Sequence, residues 1–524
     1  VRWTPGHGDR PSADVALAAI VAAARRAVGG GREPLDDLAS LLTDVAATDD
    51  SDLGRAALAV IAESPRLTAW LDNSARQTVW HRPSRSSQLN QLIKRLHQPT
   101  VAPLVAALAS TNSDGHVRER AVRVMLTDRS PDLLPFLALR TGDWVAQVRE
   151  PARAGLALLL ADDPARYLPV ALPMALLMDA RTRGGFAVNQ VTAALLSAPP
   201  AVRRVVGAAG SPAQRRLVFE LEMTQRRLRI DDLVAVAESE TDVRLRSLAA
   251  EAACREAVWT GRLPILRRLA RDRRPDVRSV ALTGLLRLGE QAEVATRLDD
   301  TASLVRAIAR EAARRAGIDA RAHYRASIGG PEPTPGAIAG FSETASESDA
   351  HLLDGLLSHP AAKIRAAAVR GLRHLGAVDA HQVTPLLTDP SPSVVREAVN
   401  ALRPVAATLA AELPWQLLAG PRVELRRAGY RLLGTRDVPE RLRAALLLAV
   451  DPDPGLARRG RADLTRLVRD ADHTTWRRTR LPTLDITPAQ RADLGALAQR
   501  AAPAVGEQVS AQLAAWLMKS VQAG

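Results

Sequence analysis

The sequence predicts an all-α protein built from stacked two-helix repeats, and three observations lead there. Ala, Leu and Arg dominate the 524 residues, and all three are strong helix formers. Val, Ile and Thr never gather into the alternating runs, bounded by turn residues, that mark strands. A motif recurs about every 31 residues, which is the signature of a repeat array. Hydrophobic residues at 47% exclude wholesale disorder, and aromatics at only 3% point to close-packed helices with small alanine contacts.

The repeat is clearest where "DRRPDVRSVALTGLLRLG" (272–289) is laid beside "HPAAKIRAAAVRGLRHLG" (359–376) and "DPSPSVVREAVNALRPVA" (389–406). Each carries a turn rich in Asp or Pro, then an apolar anchor. The anchors are Val117, Val148, Leu245, Val277, Val305, Ile364, Val395, Leu425 and Leu456. Neighbouring spacings run from 28 to 32 residues, and the wider gaps are near-multiples filled by weaker copies around Phe186, Ala213 and Ala337. Leu53 stands two periods before Val117, so about fourteen repeats fit between Leu53 and the unit that begins at Leu456.

The motif has a physical reading. Asp or Ser in the turn accepts hydrogen bonds from the free N–H groups of a helix start, and Pro suits the first turn. Val277, Val280, Ala281 and Leu285 fall on one helical face. A small residue follows the anchor by four positions: Ala121, Ala152, Ala249, Ala281, Ala309, Ala368, Gly429 or Gly460. It lets a neighbouring helix approach closely. A shorter helix is expected upstream of each turn, as in "AHQVTPLLTD" (380–389). No such pair buries its apolar face alone, so each must stack on the next.

The pattern Asp-Pro-x-x-x-Val-Arg-x-x-Ala-x-x-Ala-Leu resembles HEAT repeats, particularly the short variety associated with phycobilisome lyases, and the resemblance covers about 80% of the chain. It implies a right-handed α-α superhelix, a HEAT-like solenoid, in which the second helix of each pair lines the concave surface. It also implies a ladder in which Asp and Arg join neighbouring repeats. By motif match the ladder comprises Arg118, Arg149, Arg246, Arg278, Arg306, Arg365, Arg396 and Arg426, with Asp114, Asp276, Asp300 and Asp389 among its acids. Leu456 is followed by Ala457, and copies between 180 and 230 lack the full motif, so irregularity is expected there.

Punctuation divides the chain. Residues 1–34 read as a leader and N-terminal capping helix, 35–317 as repeats, 318–336 as a Pro/Gly-rich loop or hinge, 337–480 as repeats, and 481–524 as a C-terminal helical cap. The apolar runs 15–24 and 155–178 are too short or too interrupted by charge to span a bilayer. The single cysteine, Cys254, excludes an intramolecular disulfide and a cysteine-based zinc site within one chain, and suits a reducing cytoplasm. In the alanine-rich "LAAEAACREAV" it reads as a packing residue.

Net charge is +14, almost all of it arginine, since the lysines are only Lys94, Lys363 and Lys519. One reading is an acidic partner such as nucleic acid, an anionic surface or an acidic protein. The other is a high-GC bacterial genome that encodes Arg in place of Lys on solvated faces. Two clusters stand out. Residues 422–480 hold fifteen Arg against eight acids, and 203–229 hold seven against two. Arg458, Arg459, Arg477 and Arg478 are the candidate contacts to an acidic partner or nucleic acid; Trp476 adjoins the last two, and Arg226-Arg227 marks the other cluster.

Catalytic motifs are absent from the sequence. The ten histidines are scattered without a metal-ligand spacing, "VGGGREP" (28–34) lacks phosphate-loop spacing, and no Gly-x-Ser-x-Gly elbow occurs. Asp143-Trp144 and Trp80-His81-Arg82 have the flavour of the HEAT-like alkylpurine DNA glycosylases, but a Trp buried between repeats is the better reading of each. The expectation is therefore a cytoplasmic, non-enzymatic scaffold or adaptor without cofactor or metal. Its partner is expected to be a protein, with a nucleic-acid-binding solenoid as the alternative and glycosylase or lyase chemistry behind both.

Overall fold

The turns that precede the motif helices carry their own start signals, and the chain uses them. Asp114 accepts a hydrogen bond from the His116 amide at 2.9 Å, Asp319 from Arg321 and Ala322, and Asp437 from Glu440. Pro275 and Pro392 occupy first helical positions, where no N–H partner is lost. Gly289, Gly317 and Gly376 follow helix ends in the left-handed region, at φ of +87°, +71° and +71°.

The computed structural model describes residues 12–29, 31–48, 50–74, 86–473, 484 and 486–519. Among these the structure is all-α, with 31 α-helices, short 3-10 pieces and no strand. No helix among the described residues is long and apolar enough to cross a membrane. The chain divides into two compact units, Val1–Ala249 and Ala250–Gly524.

In the first unit the short helices Pro103–Ala109 and Leu134–Arg140 pack on the longer motif helices Gly115–Asp128 and Ala146–Asp162, which also pack on each other. The second unit repeats the arrangement with Leu263–Leu269 on Pro275–Arg287 and Gln291–Ala295 on Ser303–Arg315. Its motif helices Ala362–Leu375, Pro392–Leu402 and Val423–Leu433 then follow in series, each against the next. The residues 380–388, expected as one short helix, are a turn of α-helix, Ala380–Val383, and then a 3-10 stretch, Thr384–Thr388. Pro385 removes the amide that an α-helix needs there.

Cores are aliphatic. Of the nine anchors, Val148, Leu245, Val277, Val305, Ile364, Val395 and Leu456 are buried, while Val117 and Leu425 are half-buried. The small residues four positions on are the tightest points: Ala121, Ala152, Ala249, Ala281, Ala309 and Ala368 are all at 0% exposure. Ala281→Leu is therefore expected to overpack its contact and destabilise the second unit by about 1–3 kcal/mol. A melting curve that superimposes on wild type would place Ala281 at the surface.

The segment 318–336 lies inside the second unit and is mostly helical. Asp319 caps a helix at Ala320–Gly329, and Pro335–Ser342 starts the next, so only 318–319 and 330–334 are irregular. The helix breakers are concentrated at the end of the segment, and the upstream "ARAHYRAS" is free to wind. At the C-terminal end, Pro488–Val505 and Glu507–Lys519 place Leu494, Leu497, Leu513 and Trp516 against Leu442, Ala445 and Leu464. At the other end, Ala13–Val28 is the first helix of the first unit.

Candidate functional site

A recurrent arginine fork ties one turn to the next. In the first unit the Arg118 side chain is fully buried; its Nε and Nη2 donate to the two Asp143 carboxylate oxygens at 2.9 Å each. Its Nη1 donates to the Asn112 and Ser113 carbonyls at 3.0 and 2.9 Å. The planar guanidinium suits this double duty, since one edge matches a carboxylate and the remaining donors satisfy turn carbonyls. In the second unit Arg278 makes the same fork to Asp300, Arg365 to Asp389 and Arg426 to Asp451, each also bonding carbonyls five and six residues back. Arg306 reaches Glu343 and the Asp300 carbonyl.

Two expected ladder members, Arg149 and Arg396, differ, while Arg246 donates to the Glu240 carbonyl six residues back at 3.3 Å, as the forked arginines do to theirs. Arg149 keeps the bonds to its own turn, the Asp143 and Trp144 carbonyls at 3.0 and 3.3 Å, but its acid is the adjacent Glu150. Arg396 is exposed, with Glu397 of its own helix at 3.6 Å, and Arg422 instead bonds the Thr388, Asp389 and Pro390 carbonyls.

Of the acids expected in the ladder, Asp300 and Asp389 occupy it, whereas Asp114 caps its own helix and Asp276 lies in the first turn of one. Asp143 and Asp451 were missed. The acid must sit at the start of the turn, five or six residues before the anchor, to meet the preceding arginine and the turn amides together. Asp143 thus also accepts from Val145 N at 3.0 Å, and Asp451 from Asp453 N at 2.8 Å. The weak copies between 180 and 230 use glutamate: Arg203 pairs with Glu222, and Arg215 with both oxygens of Glu240 at 3.2 and 3.1 Å. Spacing carried that signal, since Glu240 lies 25 residues after Arg215, as Asp143 does after Arg118.

Burial pushes the Asp389 carboxyl up, but the Arg365 guanidinium and the Ser391 amide outweigh it and hold the pKa below the ordinary carboxylate value. A depressed folded-state pKa contributes stability that is complete above about pH 4 and lost as pH falls further. Calorimetry is therefore expected to show the second unit's melting temperature falling from about pH 5 to about pH 3. Asp389→Asn lowers it at neutral pH and narrows that fall; an unchanged fall would remove Asp389 from the acid transition.

The pairing neutralises part of the first arginine cluster and leaves Arg204, Arg226 and Arg229 exposed with no ion pair among the described residues. Arg203 and Arg227 share Glu222, Arg215 takes Glu240, and Arg216 faces Asp242 at 3.5 Å. It does not neutralise the second. Within the second unit a cavity of about 740 Å³ opens among Val423–Leu433, Val438–Ala449 and Pro454–His473. Arg403, Arg427, Arg431, Arg441, Arg459 and Arg466 line it, with Asp463 as the sole acid. Asp463 accepts from the Tyr430 hydroxyl at 2.9 Å and from Arg459 at 2.6 Å, with Arg466 at 3.6 Å. Arg403, Arg427 and Arg441 are exposed and form no ion pair among the described residues. Of the expected contacts, Arg459 lines the cavity and Arg458 is exposed outside its lining, whereas Arg477 and Arg478, with Trp476, lie outside the described residues.

The groupings with a catalytic flavour have other roles. Asp143 is buried between Arg118 and Arg140; burial raises its pKa, but these cations and the Val145 amide hold it below the ordinary value. Trp144, expected to be buried, is 66% exposed, because it follows the inward-turned Asp143 in a turn; the Arg118 guanidinium lies 5.8 Å from its ring centre. Trp80-His81-Arg82 lies outside the described residues. Cys254 is buried, and desolvation pushes its thiol up to about 12. No cluster of three or more His, Cys, Asp or Glu among the described residues is placed to hold a metal ion.

Fold and site together define an all-α protein in which helix pairs are tied by arginine–acid forks and which bears an open basic cavity. No protein-family model matches the chain, and no curated protein matches it. Among solved structures it is similar to two engineered proteins from the Northeast Structural Genomics Consortium. One is 16% identical, with 81% of this chain and 96% of that chain covered and a TM-score of 0.15. The other is 17% identical, with 39% and 95% covered and a TM-score of 0.16.

Proposed function

We propose that this protein is a non-enzymatic scaffold or adaptor. In this reading it is a right-handed α-α superhelix of the HEAT-like kind, with about fourteen two-helix repeats, that binds a protein partner on its concave surface. The observation that carries the reading is the recurrent fork. Most motif arginines are spent inside the fold on turn acids and carbonyls, so they build a rigid row of helices instead of serving a reaction. Rows of this kind present long surfaces suited to macromolecules.

A second reading, a nucleic-acid-binding solenoid, draws on the unpaired arginines of the basic cavity. Affinity capture from the native host, with and without nuclease, separates the two. A stoichiometric protein retained after nuclease is the expected result. A partner lost with nuclease would overturn the first reading in favour of the second. Small-angle scattering tests the superhelix independently: an elongated, curved particle is expected, and a spherical one of the same mass would rule it out.

A further inference from the structure

The basic cavity does not stand alone. A smaller hollow of about 140 Å³ between Pro392–Leu402 and Val423–Leu433 shares Arg427 and Arg431 with it and adds Arg396 and Glu424. The two form one track across three motif helices, Pro392–Leu402, Val423–Leu433 and Pro454–His473. Packed helices lie about 8–10 Å apart, so the track is roughly 20 Å long, room for about six residues of extended chain at about 3.3 Å each.

We infer that this track is the docking site for an extended acidic segment, rich in Asp and Glu, of the protein partner. The inference rests on the scaffold reading and names its contact chemistry. Charge is the first argument: seven arginines line the track against two lining acids, Glu424 and Asp463. Asp463 is already engaged by Tyr430 and Arg459, and among the described residues only Arg396 of the seven has a further acid near it, Glu397 at 3.6 Å. The type of cation is the second. Guanidinium forks bind carboxylates through paired hydrogen bonds, and this chain uses that geometry at Arg278, Arg365 and Arg426. Arg403, Arg427 and Arg441 offer the same fork with no internal acid to fill it.

The third argument separates acidic peptide from nucleic acid. Single-stranded nucleic acid is held by phosphate contacts together with aromatic rings that stack on bases. Among the described residues the only aromatic lining the track is Tyr430, half-buried and tied by its hydroxyl to Asp463. A strand would find cations there but, among the described residues, no exposed ring, whereas a run of carboxylates needs only the cations.

The test uses the whole chain and a fluorescein-labelled oligoglutamate peptide, followed by anisotropy at low and rising salt. Wild type is expected to bind, and more weakly as salt rises, because exposed charges are screened. The triple variant Arg403→Gln, Arg427→Gln, Arg441→Gln is expected to lose affinity by about tenfold or more, the combined effect of three exposed charge pairs. A control triple, Arg287→Gln, Arg373→Gln, Arg500→Gln, removes the same charge from exposed positions outside the track and should leave affinity within about twofold. Melting curves for both triples should match wild type, which excludes unfolding as the cause. Absence of binding at low salt, or equal losses in the two triples, would overturn the site. Tighter, track-dependent binding of a single-stranded DNA of equal charge would reassign the track to nucleic acid. A native partner that stays bound to the track triple would leave the scaffold reading standing and remove only this site. Oligoglutamate binding through the track, with no protein retained in the capture experiment, would do the reverse.

Discussion

Asp143→Ala is expected to destabilise the first unit by about 3–5 kcal/mol, the largest effect of any single polar substitution in the chain. The Asp143 carboxylate is fully buried and faces two buried guanidiniums, Arg118 through two hydrogen bonds of 2.9 Å and Arg140 at 3.5 Å. Removing it strands positive charge in a place that water cannot reach, and the cost is that of an uncompensated buried ion more than that of a lost attraction. The double replacement Arg118→Met with Asp143→Leu removes both charges at once, so it should cost less than Asp143→Ala despite changing more atoms. Urea unfolding followed by hydrogen exchange in helices Gly115–Asp128 and Ala146–Asp162 reads both. If the double replacement is the more damaging, the pair is a net attraction and the account by stranded charge is wrong.

Gly429→Ala and Gly460→Ala are expected to be comparably severe for a different reason. A Cβ on Gly429 would stand 2.3 Å from the Pro414 carbonyl oxygen and 2.5 Å from the Leu418 amide nitrogen. One on Gly460 would stand 2.5 Å from the Ala449 nitrogen and 2.7 Å from the Leu448 carbonyl carbon. These are backbone atoms, with no rotamer to take up the strain, so a whole helix must retreat. The cost is expected at the upper end of the overpacking range, about 3 kcal/mol, and larger than that of Gly284→Ala. There the nearest atom is Leu266 Cδ2 at 2.8 Å, the end of a flexible side chain. Thermal melts of the three variants rank them directly. Equal melting temperatures for Gly429→Ala and Gly284→Ala would mean that the close helix approach at Gly429 is not rigid.

Much of this was legible in the sequence because it is decided locally. The anchors and the small residues four positions on share a face by the geometry of one helix, and Ala121, Ala281 and Ala368 are buried as that geometry requires. The helix start at Asp114 followed from chemistry within three residues. The same local rule explains the error at 318–336. Proline and glycine near its end were allowed to stand for the whole segment, although Ala320–Gly329 contains no proline and winds as its composition directs.

What the sequence by itself determined is the all-helical class, the period near 31 residues and the faces that must be buried. Each is set by residues within a turn or two of one another. The tertiary structure alone decided which acid answers which arginine. Arg278 and Asp300, or Arg365 and Asp389, lie 22 and 24 residues apart, and only the packing of one helix pair on the next brings them within hydrogen-bond reach. It alone also decided which arginines of each basic cluster are paired. Both 203–229 and 422–480 read as basic; Glu222, Glu240 and Asp242 take up four arginines of the first, while Arg427 and Arg441 of the second, together with Arg403, line an open cavity and meet no acid among the described residues. Net charge counts residues along the chain, whereas binding depends on the charge left exposed after the fold has paired what it can.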